Sequence, residues 1–121
     1  MTVPRFEDLL VWRKSRDLAV ALYRTTSTGP FAKDFGLRDQ LRRAGTSVMS
    51  NIAEGFGRYS RGEMRRFISI ARGSAAEAQS QLYLALALEY ISEPEHRILN
   101  EQCIEISRML AALRTSLDRP R

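Results

Sequence analysis

Gln40, Ser47, Asn51, Glu54 and Arg58 fall within roughly 60° of one another when the chain is wound as a helix at 100° per residue. Together they carry a hydroxyl, a carboxylate, two carboxamides and a guanidinium, groups that acyl or phosphoryl chemistry uses. In that chemistry Ser47 would be the nucleophile and Glu54 the base. A serine nucleophile is usually activated by an imidazole held by a third group. The sole histidine, His96, lies far downstream at the start of the last helical segment. Polar side chains packed between helices can instead fix their register. The stripe, with Glu63 and Glu77 further on, is therefore read as an interhelix or intersubunit polar network, and the chain as a non-enzyme.

Other chemistries are excluded by count. A di-iron bundle needs two Glu-x-x-His motifs and two further carboxylates, which one histidine cannot supply. Cys103 is the only cysteine, so no intrachain disulfide forms, and it sits in an apolar seam as a core residue. Gly55 and Gly57 end a helix and do not form a phosphate loop between strand and helix. No metal and no cofactor is expected.

The arginines offer a different chemistry. Seventeen of the nineteen basic residues are Arg, and the formal charge is +5. Residues 38–72 hold eight arginines against Asp39, Glu54 and Glu63, while the rest of the chain carries eleven basic and eleven acidic residues. The excess is thus confined to one stretch. Arg61, Arg65 and Arg72 fall within about 40° on one helix, and Arg38 and Arg42 share a face of the preceding one. Guanidinium suits phosphate, so these five are the candidate nucleic-acid contacts. Aromatic side chains nearby are few (Phe56, Tyr59), so contact would be to the backbone of RNA or DNA with little sequence preference. The competing reading has Arg42, Arg58 and Arg66 pairing with Glu54, Glu63 and Glu77 between helices or subunits.

Four helices must position these groups, in one domain over residues 1–121. The first is expected from about Asp8 to Thr26, with Val11, Trp12, Ser15, Leu18, Ala19 and Leu22 inward and Ser27-Thr-Gly-Pro30 stopping it. After a loop, Asp34 caps a second helix over 35–57 with the seam Leu37, Leu41, Ala44, Val48, Ile52 and Gly55. Ser60 and Glu63 form a capping box for a third helix running to about Tyr90. Its inward residues are Met64, Phe67, Ala71, Ser74, Ala78, Leu82 and Ala85. Ser92 and Glu95 repeat the capping signal, with Pro94 tolerated in the first turn. The last helix has the seam Leu99, Cys103, Ile106, Leu110, Leu113 and Leu117, with Pro120 beyond its end. No segment alternates with period two, so the expected fold is an all-α, up-and-down antiparallel four-helix bundle.

Leu82-Tyr-Leu-Ala-Leu-Ala-Leu88 is apolar around the whole helix. A bundle helix buries only one stripe, and each large side chain left over is worth roughly 1.5–3 kcal/mol if covered. Tyr83, Leu84, Leu86 and Leu88 are therefore the expected oligomer interface. No apolar run approaches the roughly 18 residues of a membrane span, and Met1–Asp8 lacks a signal-peptide pattern. The expectation is a cytoplasmic protein that does not use a membrane.

Over nearly its whole length the sequence resembles a known family. Gln40-Leu-Arg-Arg-Ala44, Ser47, Asn51-Ile-Ala-Glu-Gly55, Arg58, Ser60, Glu63, Phe67, Ala71, Gly73-Ser74 and Glu77 are similar to the bacterial four-helix-bundle proteins named after the intervening sequences of 23S rRNA genes. Phe6-Glu-Asp-Leu-Leu-Val-Trp12, Leu18 and Tyr23 match that family's first helix. The resemblance implies a small bundle assembling as a ring, a homopentamer. It also implies similarity to the accessory variability determinant of diversity-generating retroelements, a basic pentamer that engages a reverse transcriptase and nucleic acid. Two departures stand out: Met49 replaces a common proline, implying a straighter second helix, and Phe31-Ala32 replaces Phe-Pro.

Overall fold

The computed structural model describes residues 5–58 and 60–118. Tyr59 and Pro120, named above, lie outside the described residues. A 3-10 turn, Phe6–Asp8, leads into α1 (Leu10–Thr25), α2 (Gly29–Lys33), α3 (Phe35–Phe56), α4 (Arg61–Ala87) and α5 (Glu93–Leu117). All elements among the described residues are helical. The four long helices close a square in which α3 packs on α1 and α4, and α5 packs on α4 and α1.

Apolar spacing explains most of the interior. Val11, Ser15, Leu18, Ala19 and Leu22 of α1 are buried, as is the whole expected seam of α3. Trp12 is half-buried, its ring edge-on to Phe6 at 5.1 Å. Leu99, Cys103, Ile106 and Leu110 of α5 are buried, and Leu113 and Leu117 only partly. Burial pushes the Cys103 thiol up to about 12, which removes it from thiolate chemistry. Met49 interrupts nothing, and α3 runs unbroken across it.

Three expectations need correction. The segment after α1 is not simply a loop. Pro30 sits in the first turn of α2, where its missing amide hydrogen costs nothing, and Phe31 is fully buried against Tyr90. The inner face of α4 is also rotated from the expected one. Ile68 and Ala75 are buried, whereas Met64, Phe67 and Ser74 are only half-buried. These three sit on the side of α4 turned to α3, where α3 itself covers them. Finally, α4 stops at Ala87, short of Tyr90. The Tyr90 amide donates to Ala85 O and the Glu89 amide to Leu86 O, both at 2.9 Å. That pairing is a Schellman ending, and it puts Glu89 at φ 60, the left-handed region that favours glycine.

Asp34 and Ser92 cap as their side chains suggest, whereas the expected Ser60–Glu63 box forms on one side only. Asp34 accepts from the Leu37 amide at 3.1 Å and from the Tyr90 hydroxyl at 2.9 Å, tying the start of α3 to the end of α4. That bond to Asp34 first, and desolvation second, raise the Tyr90 pKa above its ordinary value. Ser92 and Glu95 make the full capping box, at 3.2 and 3.0 Å. Ser60 accepts from the Glu63 amide at 3.1 Å, while the Glu63 carboxylate lies toward Arg66 at 3.8 Å.

Two glycines set how closely α3 approaches its neighbours. A Cβ on Gly45 would stand 2.7 Å from Leu22 Cδ1, and one on Gly55 would stand 2.8 Å from Phe67 Cβ. The second obstacle is the stem of a side chain, so the helices themselves would have to part. Gly55→Ala should therefore cost about 1–3 kcal/mol in urea unfolding at fixed protein concentration. Gly73→Ala, with nothing within 4 Å, should gain up to about 1 kcal/mol from helix propensity. Glu89→Gly relieves a left-handed residue and should raise stability by about 1 kcal/mol in the same assay.

Candidate functional site

The polar stripe of α3 faces α4. Ser47 Oγ and Ser74 Oγ share a hydrogen bond of 2.8 Å, and Asn51 Nδ2 donates to Ser47 O at 2.8 Å and to Ser47 Oγ at 3.0 Å. One turn from the other end, Gln81 Nε2 donates to Gln40 Oε1 at 3.5 Å and to Glu77 Oε1 at 3.3 Å. The Ser47–Ser74 and Gln40–Gln81 bonds join α3 to α4 within one chain. Glu54 pairs at 2.7 Å with Arg58, two residues beyond the end of α3, and Arg58 also lies over the Phe67 ring. Among the described residues the hydrogen-bond partners of the Ser47 hydroxyl are Ser74 Oγ and Asn51 Nδ2. His96 is on α5, buried against the Tyr83 ring at a centroid distance of 4.5 Å.

Four of the five candidate arginines hold helix ends. The last carbonyls of a helix lack partners and carry the negative end of its dipole, which favours a cation there. Arg42 donates to Thr26 Oγ1 at 2.8 Å, Ser27 Oγ at 3.1 Å and Tyr23 O at 3.4 Å, closing the end of α1. Its guanidinium also lies 4.6 Å from the Tyr23 ring centroid. Arg38 donates to Ala32 O at 3.1 Å, at the end of α2, and to Asp39 at 2.9 Å. That hydrogen bond from Arg38 holds the Asp39 carboxyl below its ordinary pKa. Arg61 reaches Leu117 O at 3.3 Å, and Arg65 pairs with Asp118 at 3.0 Å, so both close α5. Arg72 is exposed and bonds to nothing among the described residues.

These contacts divide the cluster. Arg38 and Arg42 stand near one end of the bundle, and Arg61 and Arg65 near the other, roughly 30 Å away at 1.5 Å rise per residue. The expected single cluster of five is therefore not brought together. The competing pairings hold in part and locally: Arg58 pairs with Glu54 four residues before it and Arg66 with Glu63 three residues before it, and Arg42 bonds no carboxylate among the described residues.

The antiparallel α4–α5 hairpin adds two arginines that the linear charge count missed. Gln79 bonds Asn100 at 3.0 Å, Tyr83 meets His96 and Arg65 meets Asp118. Facing residues on α4 and α5 thus have numbers that add to about 180. Arg72 stands level with Arg108, and Arg65 level with Arg114. Arg61, Arg65, Arg72, Arg108 and Arg114 occupy one half of the α4/α5 layer, with Asp118 paired to Arg65 and with Glu63 and Glu105 on the same stretches of the two helices. The turn near residue 90 already contained this signal, because the centre of a hairpin fixes which residues face each other.

The apolar patch is also sorted by face. Leu84 and Leu88 are exposed, at 49% and 46%, and share with Ile70 the side of α4 turned toward α3. Tyr83 lies on the α5 side. Leu86 is half-buried against the core, so it adds little to an outer interface. From Ser69 to Leu88 the exposed residues of α4 include two charged side chains, Arg72 and Glu77, whereas exposed positions on α5 include seven.

The clamps predict unequal costs. Arg42→Leu, which strips partners from the end of α1, should lower stability by about 1–2 kcal/mol. Arg72→Leu should change it by less than about 0.5 kcal/mol. Urea unfolding of the two variants side by side checks the contrast.

Comparison with known proteins agrees with the geometry. No curated protein sequence matches the chain. A crystal structure of a protein of unknown function from the S23 ribosomal protein family of Bacteroides thetaiotaomicron matches with a TM-score of 0.80 at 29% identity, covering 87% of this chain and 98% of that one. The family model for the 23S rRNA-intervening sequence protein matches residues 7–112. An all-helical bundle with these residues at these positions belongs to the 23S rRNA-intervening sequence protein family.

Proposed function

We propose that this chain is a non-enzymatic, homo-oligomeric bundle that binds the phosphates of RNA or DNA through the outer surface of α4 and α5. The observation that carries the reading is the gathering of Arg61, Arg65, Arg72, Arg108 and Arg114 on one half of that layer, where these five outnumber Glu63, Glu105 and Asp118. Arg61 and Arg65 keep their charge while closing α5, and Arg72 and Arg108 stand exposed, so the layer has a positive field along half its length. Arg38 and Arg42 belong to the opposite end and are structural in this reading. The low charge of the outer side of α4 supports self-association, and the family resemblance points to a ring of five. The engagement of the Ser47 hydroxyl by Ser74 and Asn51 supports the non-enzymatic reading.

A second reading keeps the oligomer and makes its partner a protein, such as a reverse transcriptase. It is favoured by the engagement of Arg38, Arg42, Arg61 and Arg65 within their own chain.

Salt separates the two. If the α4/α5 layer of one subunit neutralises four phosphates, affinity for a fluorescent RNA should fall about a hundredfold between 50 and 200 mM salt. The triple variant Arg65→Glu, Arg72→Glu, Arg108→Glu should lose RNA retention and keep the wild-type assembly mass. RNA binding by the wild type that ignores salt, or no binding at all, overturns the phosphate reading.

A further inference from the structure

We infer that the cleft beside Tyr83 and Arg97, at the turn end of the α4/α5 layer, takes one unpaired base of a bound single strand. The inference rests on the phosphate reading of that layer and adds a base contact to it. The cleft measures about 320 Å³ and is lined by Tyr83, Leu86, Glu93, His96, Arg97 and Asn100. That is at the small end of ligand clefts, a size that suits one planar ring system. Tyr83 is 56% exposed, with its ring centroid 4.5 Å from that of the buried His96. An aromatic ring steadied on one side and open over half its surface is a platform on which any base can stack.

The polar groups of the lining fit the edge of a base better than a phosphate. Arg97 is exposed and pairs with no carboxylate among the described residues. Asn100 Oδ1 accepts from Gln79 at 3.0 Å, while its Nδ2 has no partner among them. Glu93, also exposed and unpaired among them, repels a phosphate but accepts from an amino group or a ring N–H. Donors and an acceptor together are what the hydrogen-bonding edge of an unpaired base requires. His96 adds a further group: its Nε2 is buried and has no hydrogen-bond partner among the described residues. Buried polar atoms are nearly always satisfied, so the lining is incomplete as it stands.

The cleft continues the arginine layer. At 100° per residue Arg65, Arg72 and Tyr83 fall within about 20° of one another on α4, as do Arg97 and Arg108 on α5. Tyr83 is eleven residues from Arg72 and Arg97 eleven from Arg108, so both lie about 17 Å further along the bundle. Glu101 and Glu105 occupy the intervening stretch of α5. Phosphate contact is therefore strongest at the arginine end, and the base contact lies beyond these carboxylates. A strand that follows the layer toward the turn reaches Tyr83 with its backbone already held. A base inside a duplex is already stacked and paired, so only a single strand presents one there. Leu84 and Leu88 turn toward α3, which leaves Tyr83 outside the apolar patch.

Fluorescence of an oligouridine carrying 2-aminopurine at every second position tests the site, because stacking on an aromatic ring quenches that base. Wild type should quench it, and should bind the single strand about tenfold tighter than duplex RNA of equal length in the same salt. Tyr83→Leu should lose the quenching and most of that preference, with duplex affinity, assembly mass and helical circular dichroism unchanged. Tyr83→Phe, which keeps the ring, should behave as wild type. Arg97→Gln, at an exposed side chain, should weaken single-strand binding more than duplex binding. Quenching by Tyr83→Leu equal to that of wild type, or equal wild-type affinity for single strand and duplex, overturns the base site and leaves the phosphate reading standing. A changed assembly mass in Tyr83→Leu also overturns it, because Tyr83 then belongs to a contact between copies. A wild type that binds neither form overturns the phosphate reading and the base site with it.

Discussion

Alanine and glycine between α3 and α4 let two helices approach until side-chain stems touch, and the rest of the bundle is arranged around that contact. Ala71, Ala75 and Ala78 are completely buried, and Gly55 leaves no room for a methyl group beside Phe67. Dispersion contacts at this range depend steeply on separation, so the pair has one good register. The Ser47–Ser74 and Gln40–Gln81 hydrogen bonds sit beside the apolar seam and agree with it. A shift by one turn would break both bonds and move Phe67 off Gly55 onto a residue that carries a side chain. Once that register is set, the short turn at residues 88–92 fixes α5 against α4, and the Lys14–Glu105 pair marks where α1 lies.

Register is also what gives the arginines their meaning. Wound on separate helices they are scattered cations. In the bundle, three helix C-termini each receive at least one guanidinium: α1 from Arg42, α2 from Arg38, α5 from Arg61 and Arg65. An arginine suits this place because its planar fork can satisfy several carbonyl or hydroxyl oxygens together. The same geometry leaves Arg72 and Arg108 outside any such duty. Structural and external roles are thus divided among residues of one type, by position along the bundle.

Helix spacing made much of the fold legible, because period and punctuation are local properties. The α1 and α3 seams, the Asp34 cap and the Ser92–Glu95 box follow directly from residue order. Phe31 did not, since a five-residue helix after Gly29 and Pro30 has no period of its own to read. The inner side of α4 was misjudged near Met64, Phe67 and Ser74 for a tertiary reason: α3 lies so close that it covers residues beside the seam as well. The stripe Gln40, Ser47 and Asn51 was legible as a network, but its partner helix was not. The arginine site was hardest to read. Linear charge counting grouped Arg38 with Arg61, which the bundle holds at opposite ends, and overlooked Arg108 and Arg114, whose charges cancel locally in sequence but not on the folded surface.

The central claim is that antiparallel register sorts the side chains left over from the core onto separate faces, apolar and nearly neutral on α3/α4, cationic on α4/α5. Sedimentation of the wild-type chain with labelled RNA, in low and then high salt, tests it most directly. The expected result is an assembly mass that holds at several times 13.8 kDa while co-sedimenting RNA is lost as salt rises. Loss of mass and RNA together, at the same salt concentration, would mean that one face does both jobs and would contradict the account.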